Sequence, residues 1–80
     1  MKEITIKLPD FETVKKFCKM AGECPFDIDI FYNHVVIDAK SILGVMSLDF
    51  SRNLHVRMYG EDETFEGFCR NLQSTAEAVA

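Results

Sequence analysis

Hydrophobic and polar positions change period several times along the chain, and each change marks an element. Over residues 3–8, Ile4, Ile6 and Leu8 alternate with Glu3, Thr5 and Lys7, the period of two that a half-buried strand requires. Pro9 has no N–H to give to a ladder and ends it. Asp10 predicts a helix N-cap, its carboxylate placed to accept from free amides at the positive end of the dipole. From there to about Ala21 the period is helical. Val14, Phe17, Cys18 and Ala21 fall at i, i+3, i+4 and i+7, with Phe11 extending the stripe at its start. Glu12 precedes Lys15, Lys16 and Lys19, an order that suits the dipole and predicts a Glu12–Lys16 pair one turn apart. Gly22 is the expected stop.

Alternation returns over residues 26–32, with Phe26, Ile28, Ile30 and Tyr32 set against Asp27, Asp29 and Phe31. Asn33-His34 makes a tight connection to a strand over 35–39, so the pair reads as a hairpin. That second strand is apolar on both sides, with Val35 and Ile37 on one and Val36 on the other. Ser41 is placed as an N-cap. Ile42, Leu43, Val45, Met46 and Leu48 follow, relieved only by Gly44 and Ser47. A helix this apolar, about two turns long, cannot hide every side chain in one core, so part of it faces core and part a partner. After a loop over 49–53, Leu54, Val56 and Met58 alternate with His55, Arg57 and Tyr59, a fourth strand. Gly60 closes it. Glu61, Asp62 and Glu63 put acid at the start of a last helix capped by Asp62, with Phe65, Phe68, Cys69, Leu72, Ala76 and Val79 as its buried side. Gly67 inside that helix costs about 1 kcal/mol against alanine, which predicts close packing there.

The element order is β-α-β-β-α-β-α, an α+β class. Because the strands alternate, all helices are expected on one face of the sheet. Thr5, Lys7, Asp27, Asp29, Phe31, His55, Arg57 and Tyr59 are left for the open face. A ferredoxin-like plait and an open-faced sandwich share this order. The plait needs two long, comparable crossover helices, so the short second helix favours the sandwich.

Composition narrows the function. Eighty residues at 48% hydrophobic make one domain. A net charge of −4 leaves no basic excess to displace counterions from nucleic acid. No apolar run reaches the roughly 20 residues needed to span a bilayer, so no membrane insertion is expected. Met1-Lys2-Glu3 leads straight into strand pattern, which predicts a cytoplasmic protein without a secretory leader. Three cysteines cannot all pair with one another. Cys18 and Cys69 fall on apolar helical positions as small hydrophobes, and Cys24, before Pro25, is expected to be the exposed one. His34 and His55 lack ligand spacing to any of them, so neither a metal nor a cofactor is expected.

The run Ala39-Lys40-Ser41-Ile42-Leu43-Gly44-Val45-Met46-Ser47-Leu48, followed by Tyr59-Gly60-Glu61-Asp62 before the last helix, resembles the HPr family. HPr is the small phosphocarrier of the bacterial phosphoenolpyruvate:sugar phosphotransferase system, and the likeness covers nearly the whole chain. It implies one HPr-like domain over residues 1–80: an open-faced β-sandwich with a four-stranded antiparallel sheet and three helices on one face, and no enzyme activity of its own. In the family a phosphoryl-accepting histidine opens the first helix, followed by alanine, arginine and proline. Counting back from Ser41 without gaps places Asp10 at the histidine, Glu12 at the arginine and Thr13 at the proline. A carboxylate is a poor substitute for imidazole as a carrier, and Glu12 repels a phosphate that arginine would hold. His34 belongs to a hairpin turn and His55 to the open face, so neither is placed at a helix N-terminus.

Ser41 matches a serine that a dedicated kinase phosphorylates in many Gram-positive relatives, giving a corepressor for carbon catabolite control. One branch of the family lacks the histidine, keeps this serine and acts only in regulation. Ile42, Leu43 and Met46 match the family's exposed docking patch. The resemblance therefore implies a regulatory or interaction module controlled at Ser41, with protein partners: a serine kinase, a transcription regulator or a second copy in a homodimer. At Ser41 a plain N-cap explains the residue as well as regulation does, and at Asp10 the plain cap is preferred to mimicry of a phosphorylated state. Two further readings stand beside this one, a functional phosphocarrier of the sugar phosphotransferase system and a small-ligand-binding ferredoxin-like domain.

Overall fold

The alternating segments pair as expected in a computed structural model, which describes residues 1–73. The elements run β1 (Lys2–Ile6), α1 (Phe11–Gly22), β2 (Ile28–Tyr32), β3 (Val35–Asp38), α2 (Ile42–Met46), β4 (Leu54–Met58) and α3 (Glu63–Asn71). The four strands form one sheet in the order β1-β4-β2-β3. Every neighbouring pair is antiparallel, with Ile4 opposite Val56, Ile30 opposite Val56 and Ile30 opposite Ile37. Central strands keep their alternation strictly because one face alone is covered. Ile4, Ile6, Ile28, Ile30, Leu54, Val56 and Met58 point into the core, where Val14 and Phe17 of α1 and Phe65 and Cys69 of α3 meet them. The Phe17 and Phe65 rings lie 5.5 Å apart and tilted, joining the two long helices over the sheet. α2 runs only from Ile42 to Met46, too short for the crossover helix that a ferredoxin-like plait needs, so that alternative fails.

On the open face, polar groups pair across neighbouring strands. Thr5 Oγ1 and His55 Nδ1 share a hydrogen bond of 2.9 Å, and the Arg57 guanidinium lies 4.7 Å from the Phe31 ring centre while its Nε donates to Glu3. The hairpin between β2 and β3 turns on Asn33 at φ 51°, a left-handed conformation that asparagine tolerates. After α3 the chain returns to β1. Lys7 N–H donates to the Leu72 carbonyl at 2.9 Å, and Gln73 bridges to Ile6. The expected core positions Ala76 and Val79 lie outside the described residues.

Three local expectations are corrected. Gly22 does not stop α1 in a left-handed turn, since no glycine takes a positive φ; Glu23 closes the helix at φ −83°. A Cβ at Gly67 would meet nothing within 4 Å, so no close contact demands that glycine. Gly60, by contrast, is crowded, for a Cβ there would run into the Phe26 ring. Cys24 is buried at 4% exposure, its thiol directed at the Met20 carbonyl, because the turn after α1 folds back under the start of α2.

Candidate functional site

Two helix N-termini carry the residues singled out by sequence, and the two helices pack against each other. At the first, Asp10 leaves the chain extended (φ −155°, ψ 171°) and caps α1. Its Oδ1 accepts from the Thr13 hydroxyl at 2.7 Å and from the Thr13 backbone N–H at 2.8 Å. These hydrogen bonds, the hydroxyl's first, hold the Asp10 carboxyl below the ordinary carboxylate range. Glu12 turns away and pairs with Lys15 at 3.3 Å, not with Lys16. Lys16 instead places its ammonium 5.7 Å from the Phe68 ring centre, an alternative that i,i+4 spacing does not reveal. Phe11 is not part of the buried stripe. It is 49% exposed, with the Lys15 ammonium 5.2 Å from its ring centre.

At the second, the chain leaves β3 through a tight turn. The Asp38 carboxylate accepts from Lys40 N–H at 2.9 Å, and the Asp38 carbonyl accepts from Ser41 N–H at 3.0 Å. Ser41, exposed, then accepts on its Oγ from Gly44 N–H at 3.2 Å, which caps α2. A Cβ at Gly44 would come within 2.7 Å of Ile37 Cγ2, so the glycine is what lets α2 lie this close to β3. Lys40 Nζ donates to the Cys24 carbonyl at 2.9 Å, tying the start of α2 to the turn after α1. The apolar helix divides as its composition demands. Val45 is fully buried and Leu48 nearly so, while Leu43 is 84% exposed and Ile42 and Met46 are about 40% exposed.

Neither histidine reaches a helix N-terminus. Among the described residues the helix N-caps are Asp10, Ser41 and Asp62. His34 is exposed in the hairpin turn, and His55 is engaged with Thr5 and packed 5.3 Å from the Phe31 ring. The thiols are equally withdrawn. Burial raises the Cys18 and Cys24 pKa values, with Asp62 adding to the effect at Cys24, and pushes Cys69 up to about 12. All three thiols therefore stay protonated, and none is poised as a nucleophile. Among the described residues no group of three His, Cys, Asp or Glu side chains could hold a metal ion. What this region offers chemically is an exposed hydroxyl leading directly into an exposed apolar surface. Sequence reading placed Asp10, Glu12, Ser41, Ile42, Leu43 and Met46 correctly on these two helices and missed Phe11 as an exposed aromatic. Its position in the first helical turn was the available signal.

The chain has counterparts among known proteins. Residues 11–77 match the family model for HPr, described as the PTS HPr component phosphorylation site. Among solved structures, HPr-C-His from Thermoanaerobacter tengcongensis is similar at a TM-score of 0.72 and 24% identity, covering 89% of both chains. A phosphocarrier protein HPr from Bacillus anthracis is similar at a TM-score of 0.68 and 23% identity, covering 90% of this chain and 94% of that one. No curated protein matches the sequence significantly.

Proposed function

The chain belongs to the HPr family, and we propose that within it the protein is a one-domain regulatory module that has given up phosphohistidine transfer. The observation that carries this reading is the N-terminus of α1. Asp10 directs its carboxylate onto Thr13, Glu12 adds a second negative charge, and both histidines of the chain lie elsewhere. An incoming phosphoryl group meets acid there in place of an imidazole nucleophile and a guanidinium clamp.

Regulation is assigned to Ser41. Its hydroxyl is exposed, and a phosphoryl group on it adds close to two negative charges beside Ile42, Leu43 and Met46. The neighbouring Lys40 ammonium is bound to the Cys24 carbonyl, so the new charge is presented outward. A serine kinase that writes the phosphate and a transcription regulator that reads it are the partners this arrangement suits. The apolar patch supplies the contact area and the phosphate the specificity. A cytoplasmic site of action is consistent with such partners, and no helix among the described residues is long and apolar enough to cross a membrane.

Incubation with phosphoenolpyruvate and enzyme I is expected to leave the protein unlabelled. Incubation with a family serine kinase and ATP is expected to add one phosphate, absent in Ser41→Ala. Label arriving from phosphoenolpyruvate on any residue would overturn the proposal in favour of an ordinary phosphocarrier.

A further inference from the structure

The sheet has two edges, and they are finished differently. Along β1 the chain itself returns, with Leu72 and Gln73 engaging Lys7 and Ile6. Along β3 no described residue forms a further strand. β3 carries two exposed valines, Val35 at 39% and Val36 at 59%. An uncovered apolar edge is a template for another strand, and such edges are usually blunted by charge, proline or a bulge.

The direction of the free groups follows from the ladder. Ala39 N–H donates to the Ile28 carbonyl, so in antiparallel register Ile37 and Val35 also turn their backbone groups toward β2. Val36 and Asp38 lie at the alternate positions and turn theirs outward. The Asp38 carbonyl is engaged by Ser41, which leaves Val36 N–H, Val36 C=O and Asp38 N–H along the edge. We propose that this edge pairs with β3 of a second copy of the chain, antiparallel about a two-fold axis at Val36. Each Val36 then exchanges backbone hydrogen bonds with the partner's Val36, and Asp38 N–H reaches the carbonyl of the partner's His34.

Side-chain chemistry selects a second copy in this register. Val35 falls opposite the partner's Ile37 on the helix side, and Val36 opposite the partner's Val36 on the open side. His34 falls opposite the partner's Asp38. The neighbouring in-phase register instead sets Asp38 against the partner's Val36, a charge against an apolar side chain. Within one chain Asp38 already stands directly opposite Asp29, in a pair without backbone hydrogen bonds where side chains are closest. Asp27, Asp29 and Asp38 together line an open pocket of about 410 Å³. Tyr59 donates to Asp29 at 3.2 Å, and an imidazole N–H from the partner's His34 supplies a donor to Asp38. The Asp38 carboxylate, whose Oδ1 accepts from Lys40 N–H within the chain, thus gains a further donor on association. Contact through one short strand buries little area, so the dimer is weak and concentration-dependent. The inference is independent of the Ser41 reading.

Sedimentation velocity of the full chain over a concentration series tests it. Native protein is expected to move from monomer toward twice its mass, and Val36→Lys to stay monomeric throughout with an unchanged circular dichroism spectrum. His34→Asp, which sets acid against the partner's Asp38, is expected to weaken the dimer about tenfold or more, and His34→Lys to retain it. Leu43→Lys, which alters the exposed α2 surface, is expected to dimerise as the native chain does. A native chain that stays monomeric at every concentration overturns the proposal. A dimer that survives Val36→Lys, or is lost equally in Leu43→Lys, overturns it too.

Discussion

The N-termini of α1 and α2 solve one problem with different chemistry. Both must satisfy amides that have no partner inside the helix, and both do so with the side chain of the N-cap residue. At α1 the acceptor is a carboxylate that binds Thr13 twice, so the negative charge favoured by the helix is already built in. At α2 it is a neutral hydroxyl making one longer bond to Gly44, in the open, with apolar side chains following it. A charge written into the sequence is permanent. A hydroxyl leaves charge to be added, and that asymmetry is why regulation is assigned to α2 and no relay to α1.

Several changes would break or sharpen this contrast. The largest expected effect is qualitative. The combined variant Asp10→His, Glu12→Arg and Thr13→Pro is expected to accept label from phosphoenolpyruvate through enzyme I, where the native chain is expected to accept none. A variant that remains unlabelled while folded would show that α1's N-terminus is not what separates this chain from a carrier.

Within α2 the split between buried and exposed sides can be read directly. Val45→Ala removes two methyl groups from a fully enclosed site and is expected to cost about 2 kcal/mol in urea unfolding. Leu43→Ala is expected to stay within about 0.5 kcal/mol while weakening the docking of a regulator. Equal losses of stability would mean that the patch belongs to the core.

Smaller is the loss of the hydroxyl cap. Ser41→Ala is expected to lower stability by about 1 kcal/mol or less, since its one bond to Gly44 is long and exposed. Ser41→Asp should restore much of that cap, and a variant that binds the regulator without kinase treatment would tie the added charge to recognition.

The smallest effect is on pH dependence. Asp10 has its folded pKa below the unfolded value, so its carboxylate stabilises the fold above about pH 4, and that contribution is lost as pH falls through the folded value. Asp10→Asn is expected to flatten this part of the acid limb. Asp49, lowered by the Ser51 hydroxyl and its N–H, keeps a residual slope in place. Ser41→Ala should leave the shape of the limb untouched. A native-like acid limb in Asp10→Asn would show that the Thr13 bonds do not persist in solution.

Legibility from sequence followed the range of the interaction involved. Asp10, Ser41 and Asp62 were identifiable as caps because capping joins residues three apart, well within one turn. The strands were legible where one face is covered and blurred at β3, whose edge position leaves both faces partly open. Glu12 paired differently from the expectation because Lys15 and Lys16 compete at nearly equal reach, and the Phe68 ring from α3 drew Lys16 away. Cys24 looked like an exposed loop thiol because nothing local indicates that Lys40 ties the start of α2 across its carbonyl.

The amino-acid sequence by itself determined the order of elements, the three capping residues, the acidic start of α1 and the excess of apolar side chains on α2, since each depends on neighbours within a few positions. Tertiary structure alone decided which of those side chains meet water. Phe11 and Leu43 emerge while Val45 sinks, Cys24 is covered, and among the described residues no strand pairs with the outer side of β3. Burial is a relation between a residue and whatever packs on it, and the packing partners come from segments distant in sequence.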